Sequence, residues 1–152
     1  MDRSRGTVLI VEDDRATRDM VVTLIAEAGF RAVSAEDGLE ALHLIRAVRH
    51  REPDVPCLIL LDLSMQRLGG REFRRAQLAD PMVATVPVVV MTGAIDAETT
   101  AASLGAVAIM AKPLDLTHLV DTVRRSCVWI SDAGEEGAPK RIGQQPTESG
   151  RA

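Results

Sequence analysis

Five short runs rich in aliphatic and β-branched residues punctuate the chain, at positions 7–11 (TVLIV), 31–35 (RAVSA), 57–61 (CLILL), 87–91 (PVVVM) and 106–110 (AVAIM). A continuous apolar run such as 57–61 fits a strand buried on both faces, as in parallel sheets. Between the five runs apolar residues recur at helical spacing. The first such segment carries Ala16, Met20, Val21, Leu24, Ile25 and Ala28, with Asp13 or Asp14 placed to cap its start and Gly29 to end it. Positions 36–49 form a second helix with Ala41, Leu42, Ile45 and Val48 inward, and a third runs from Gly70 to about Ala79 with Phe73 and Leu78. In that third helix Arg71, Arg74 and Arg75 read as a solvated face. An alanine-rich helix is expected at about 96–104, and a last one carries Leu116, Leu119, Val120, Val123 and Cys127. Strand–helix alternation of this kind predicts an α/β fold, a doubly wound five-stranded parallel sheet with five helices. From about Ser131 Gly, Pro, Gln, Ser and Glu dominate. The expected organisation is therefore one domain over 6–130 and a polar, disordered tail over 131–152.

Four of the five strands end in residues that could do chemistry. Glu12 and Asp13 follow the first, Asp62 the third, Thr92 the fourth and Lys112 the fifth. In the flavodoxin-like order 2-1-3-4-5 the first and third strands are neighbours at the switch point, where ligands of open α/β sheets bind. That order brings three carboxylates together. Two unit charges about 4 Å apart interact by roughly 4 kcal/mol at an effective dielectric near 20, so the cluster needs compensation. Lys112 offsets one charge, and a divalent cation suited to hard oxygen ligands, Mg²⁺ or Mn²⁺, would balance the rest. Among the 18 basic residues only Lys112 and Lys140 are lysines. A lysine against that bias points to a site wanting a compact point charge.

Composition removes several alternatives. A length of 152 residues with 46% hydrophobic and 26% charged residues suits one globular domain, and 2% aromatics without Tyr leave an aliphatic core. A net charge of −4 gives no support to nucleic-acid binding. No apolar run reaches the roughly twenty residues of a membrane span, and no signal peptide precedes the first strand. Cys57 and Cys127 sit in apolar patterns and read as reduced core thiols, which with the missing signal peptide predicts a cytoplasmic protein. His43, His50 and His118 have no partners at ligand spacing.

The motifs Val8-Leu-Ile-Val-Glu12-Asp13-Asp14, Leu61-Asp62-Leu-Ser64-Met65 with Gly70, Val90-Met-Thr92-Gly93 and Ala111-Lys112-Pro113 resemble the receiver domain of two-component response regulators. The resemblance covers about residues 6–130 and suggests a stand-alone receiver. It implies that Asp62 is the phosphoacceptor, fed by a sensor histidine kinase or a histidine phosphotransfer protein. It implies that Glu12, Asp13, Asp62 and the backbone carbonyl of Ser64 hold Mg²⁺. Lys112 would pair with the phosphoryl oxygens and the Thr92 hydroxyl would bond one of them. Ser64 and Ala94 stand where the family tunes the lifetime of the phosphoryl group. The signal would pass to a downstream protein, and a homodimer paired through the last helix is one assembly the resemblance allows.

Three positions depart from the family pattern. Glu12 stands where Asp is commonest, Gln66 replaces a loop Pro, and Ile109 replaces the aromatic that normally moves with the Thr. Two other functions share some of these features. A haloacid-dehalogenase-like phosphatase also uses an aspartyl nucleophile, but it needs a second Asp where Ser64 stands. A receiver-like binding module that works without phosphorylation would keep the fold alone.

Overall fold

Residues 5–48, 55–65, 67–93 and 97–127 are described by the structure, a computed structural model. The elements alternate as β1 (Thr7–Val11), α1 (Arg15–Glu27), β2 (Arg31–Ala35), α2 (Gly38–Val48), β3 (Leu58–Asp62), α3 (Gly70–Leu78), β4 (Val88–Thr92), α4 (Ala97–Ser103), β5 (Ala108–Ala111) and α5 (Leu116–Ser126). The sheet is all parallel in the order β2-β1-β3-β4-β5, the flavodoxin-like arrangement expected from the sequence. Every residue of β3 and β4 is buried, because central parallel strands are covered on both faces.

Alternation along the strands sorts the core into two layers. Leu9, Val11, Ile59, Leu61, Val88 and Val90 face α2 and α3, packing against Ala41, Leu42, Ile45 and Phe73. Val8, Ile10, Leu58, Leu60, Val89 and Met91 face the other way, against Val21 and Ile25 of α1 and Leu119 and Val123 of α5.

Several expected details shift. On α1 the buried row runs through Val21 and Ile25, while Ala16 and Met20 are exposed. Val21 and Ile25 belong to the expected stripe, with Leu24 and Ala28 packed beside them, whereas Ala16 and Met20 face outward. Leu78 and Leu116 are exposed for the same reason of facing. Asp62 and Thr92 are the last residues of β3 and β4 rather than the first after them. Cys57 and Cys127, read as reduced thiols, are instead joined in a disulfide with a Cα–Cα separation of 5.0 Å, well inside the bridgeable range. The two patterns lie 70 residues apart, and neither one alone shows that β3 begins beside the end of α5. Those thiols therefore no longer argue for a reducing compartment. Gln66, Ala94, His50 and the 131–152 segment lie outside the described residues.

The largest departure is Arg74. Instead of belonging to a solvated face it is 1% exposed. Its Nε donates to the Leu104 carbonyl at 2.9 Å, one NH group to the Gly105 carbonyl at 3.4 Å and the other to Gln77 Oε1 at 2.6 Å. Gln77, also buried, donates both amide hydrogens to the Val83 and Val86 carbonyls, at 2.9 and 3.0 Å. Helix α3 thus faces inward with a polar pair that ties down the turn after α4 and the connection to β4. Removing the guanidinium takes this donor from the buried Gln77 Oε1 and from the half-buried Leu104 and Gly105 carbonyls, and leaves a void. Arg74→Ala is expected to lower the unfolding free energy by about 3 kcal/mol, read from urea titration of the circular dichroism signal. A loss within error of zero would contradict this role.

Candidate functional site

The parallel register sets all strand carboxyl ends along one edge. Val11 pairs with Leu61, Asp62 with Met91 and Thr92 with Ala111, so Glu12, Asp62, Thr92 and Lys112 follow in a row across four strands. The Glu12 N–H donates to the Ala35 carbonyl at 3.1 Å and the Lys112 N–H to the Thr92 carbonyl at 3.0 Å, fixing both backbones to their neighbours. The turn after β1 is shaped by two residues. Asp14 caps α1 by accepting from the Thr17 N–H at 2.9 Å and its hydroxyl at 2.6 Å, and the Arg18 guanidinium donates to the Glu12 carbonyl at 2.9 Å. Arg18 was not singled out by the sequence. It sits one turn into α1, a place where an exposed arginine is ordinary.

The structure brings Glu12, Asp13, Asp62 and Lys112 together. One oxygen from each of the three carboxylates lies within 4.8 Å of the others, a group able to hold a metal ion. Glu12 and Asp62 are buried, at 0% and 2% exposure, and Asp13 is exposed. Lys112 Nζ lies 2.6 Å from Glu12 Oε1 and 3.4 Å from Asp62 Oδ2. Asp62 Oδ1 accepts the Ser64 N–H at 3.1 Å, so each of its two oxygens has its own partner. Gly70 closes the loop over it. A Cβ there would lie 2.5 Å from the Asp62 carbonyl and 2.9 Å from Leu63 Cα, so only glycine fits without a backbone shift. Thr92 is buried at the end of β4. Ile109 is half-buried and packs on the layer containing Phe73 and Val90.

Burial and the neighbouring Glu12 push the Asp62 carboxyl up to about 7, against the opposing pull of the Ser64 N–H and Lys112. For Glu12, burial also opposes ionisation, but bonding to Asp62 and Lys112 outweighs it and holds the carboxyl below its usual value. Burial likewise works against the Lys112 charge, and the two carboxylates more than restore it. The cluster thus carries excess negative charge that one ammonium does not balance. Asp62 compensates by keeping its proton. A divalent cation bound by the three carboxylates is the other way to compensate, and the all-oxygen donor set fits a hard ion.

A family model for the response regulator receiver domain matches residues 8–124. The DNA-binding response regulator MtrA of Mycobacterium tuberculosis is 32% identical over 126 residues, covering 82% of this chain and 51% of MtrA. The chain thus spans about half the length of that relative. DNA binding in its name belongs to the whole relative, and it gives no support to the expectation that nucleic acid is no partner. Among solved structures, a response regulator of Chloroflexus aurantiacus superposes with a TM-score of 0.72 at 27% identity, covering 80% of this chain and 97% of that one. The chemotaxis response regulator CheY4 of Vibrio cholerae gives 0.68 at 27% identity, with 80% and 98% covered.

The raised Asp62 carboxyl has a pH signature in metal-free protein. The folded state keeps this proton to about pH 7, whereas an unfolded Asp releases it near pH 3.9. Its contribution to stability is complete below that lower value and is lost as pH rises through about 7. The urea midpoint is expected to fall from pH 5 to pH 8, and Asp62→Asn to flatten that fall. The Asp62 carboxyl carbon should titrate near neutrality by NMR. Titration at an ordinary Asp value would remove the basis for the prediction.

Proposed function

The chain belongs to the response regulator receiver family, and from that premise we propose that Asp62 is its phosphoacceptor. In this reading the carboxylate attacks a phosphohistidine of a sensor histidine kinase or a histidine phosphotransfer protein. The N–P bond breaks as the O–P bond forms, and the donor imidazole keeps the electron pair and takes up a proton. The observation that carries the reading is the Asp62 carboxylate at a buried strand end, with Lys112 Nζ 3.4 Å from Oδ2 and two further carboxylates beside it.

Each residue then has a stated task. Lys112, now shared between Glu12 and Asp62, neutralises phosphoryl oxygens as they arrive. The Ser64 N–H holds the other Asp62 oxygen and so limits rotation of the nucleophile. Thr92 donates its hydroxyl to a phosphoryl oxygen. Glu12, Asp13, Asp62 and the Ser64 carbonyl would hold Mg²⁺ or Mn²⁺, which supplies charge neutralisation for transfer and for the later hydrolysis of the acyl phosphate. The working unit in this reading is residues 6–130. The phosphoryl group signals by changing the affinity of a partner protein for this domain, which requires unequal binding to the two states.

Intact mass after incubation with acetyl phosphate tests the reading. The wild-type protein is expected to gain one phosphoryl group in the presence of Mg²⁺, to gain none with a chelator, and to gain none as Asp62→Asn. Absence of the adduct in the wild type, together with no binding of beryllofluoride, would refute the switch and leave a receiver fold that binds without phosphorylation.

A further inference from the structure

The β3–α3 loop holds two consecutive non-glycine residues in the left-handed region, Arg67 at φ 43° and Leu68 at φ 55°. Side chains with a Cβ seldom adopt it, and such a pair persists only where the surroundings over-determine it. Both residues are held by the corner between β2 and α2. Asp37 Oδ2 accepts from Arg67 Nε at 2.9 Å and from a second guanidinium N–H. Glu36 adds a carboxylate 3.8 Å from the same guanidinium. The Gly38 N–H donates to the Leu68 carbonyl at 3.1 Å, and a Cβ at Gly38 would stand 2.2 Å from that oxygen. This corner is built to receive the loop.

Asp37 does more than its helix needs. Its Oδ1 caps α2 by accepting the Glu40 N–H at 2.8 Å, a task that Asn performs as well as Asp. Its other oxygen is turned to Arg67 although the side chain is only 7% exposed. A buried carboxylate is retained here for a mostly exposed arginine in another loop. That loop carries Ser64 near its start, whose N–H holds Asp62 Oδ1, and it runs to Gly70, packed on the Asp62 carbonyl. Freedom at Arg67 and Leu68 therefore becomes freedom at Ser64. A displacement of about 1 Å is enough to break a hydrogen bond of this length.

We propose that Asp37 is a positioning residue for phosphoryl acceptance, clamping Arg67 so that the loop keeps the Ser64 N–H on the Asp62 carboxylate. The proposal rests on the reading of Asp62 as phosphoacceptor. It adds a residue some distance along the sheet edge that touches neither the phosphoryl group nor the metal. Asp37→Asn is the informative variant, since it keeps the cap and removes the charge that grips Arg67.

The test uses the full chain as wild type, Asp37→Asn, Arg67→Ala, Arg67→Lys and the Asp37→Asn/Arg67→Ala double variant. Exchange of the Ser64 amide hydrogen, read by NMR in metal-free protein, reports the clamp without any phosphoryl chemistry. Each of the first two single variants is expected to speed that exchange about tenfold as the loop opens locally. Each should slow phosphorylation at saturating acetyl phosphate and Mg²⁺ by roughly three- to tenfold, as misplacement of a reacting group does. Arg67→Lys should recover part of both effects, and the double variant should be no slower than the worse single one. Unchanged exchange and rate in both single variants, or losses that multiply in the double variant, would overturn the clamp. A wild-type protein that takes no phosphoryl group would overturn the phosphoacceptor reading and the proposal together. A phosphorylated wild type with unaffected variants would overturn the proposal alone.

Discussion

Two carboxylates, Glu12 and Asp62, are buried side by side at the ends of adjacent parallel strands, and one ammonium lies against both. Such a pair is costly in a low-dielectric setting, and the surrounding architecture can be read as its compensation. The Lys112 backbone is fixed by the Thr92 carbonyl, so the charge arrives from β5 across the width of β4. The Ser64 N–H bonds the other Asp62 oxygen. Cations and N–H dipoles converge on the carboxyl edge because a parallel sheet sends every strand end the same way.

Convergence alone does not hold a loop in place. The segment that follows Asp62 leaves the sheet, turns through two left-handed residues and returns to start α3. Its return is fixed by Gly70, whose missing side chain lets the backbone rest on the Asp62 carbonyl. Its far side is fixed by the corner at Asp37 and Gly38. The loop that follows Asp62 is thus held partly from the start of α2, an element contributing no atom to the carboxylate cluster.

What the sequence made legible was whatever repeats along a strand or recurs at a strand end. The five strands, their parallel order and the residues at their carboxyl ends follow from apolar runs that stop at Glu12, Asp62, Thr92 and Lys112. Contacts between distant segments were not legible. Asp37 falls in the segment expected as the second helix, yet nothing near it names Arg67 as a partner 30 residues on. Arg74 looks like one of three arginines on a polar helix, and only the packing of α3 shows that it faces the Leu104 and Gly105 carbonyls. The Cys57–Cys127 bond escaped for the same reason. Periodicity reports which side of an element is inside, not what waits there.

The inward pair on α3 bears on how the sequence can drift. Arg74 supplies a hydrogen to Gln77 Oε1, and Gln77 spends both of its own on the Val83 and Val86 carbonyls. Neither side chain can be exchanged for an aliphatic one without stranding polar atoms that the other was satisfying. Two aliphatic residues together, with the turn after α4 and the connection to β4 re-formed to bond among themselves, would fill the same space. Positions 74 and 77 are therefore expected to be inherited as a unit. Homologues should carry either both polar residues or neither, and the mixed combinations should be rare.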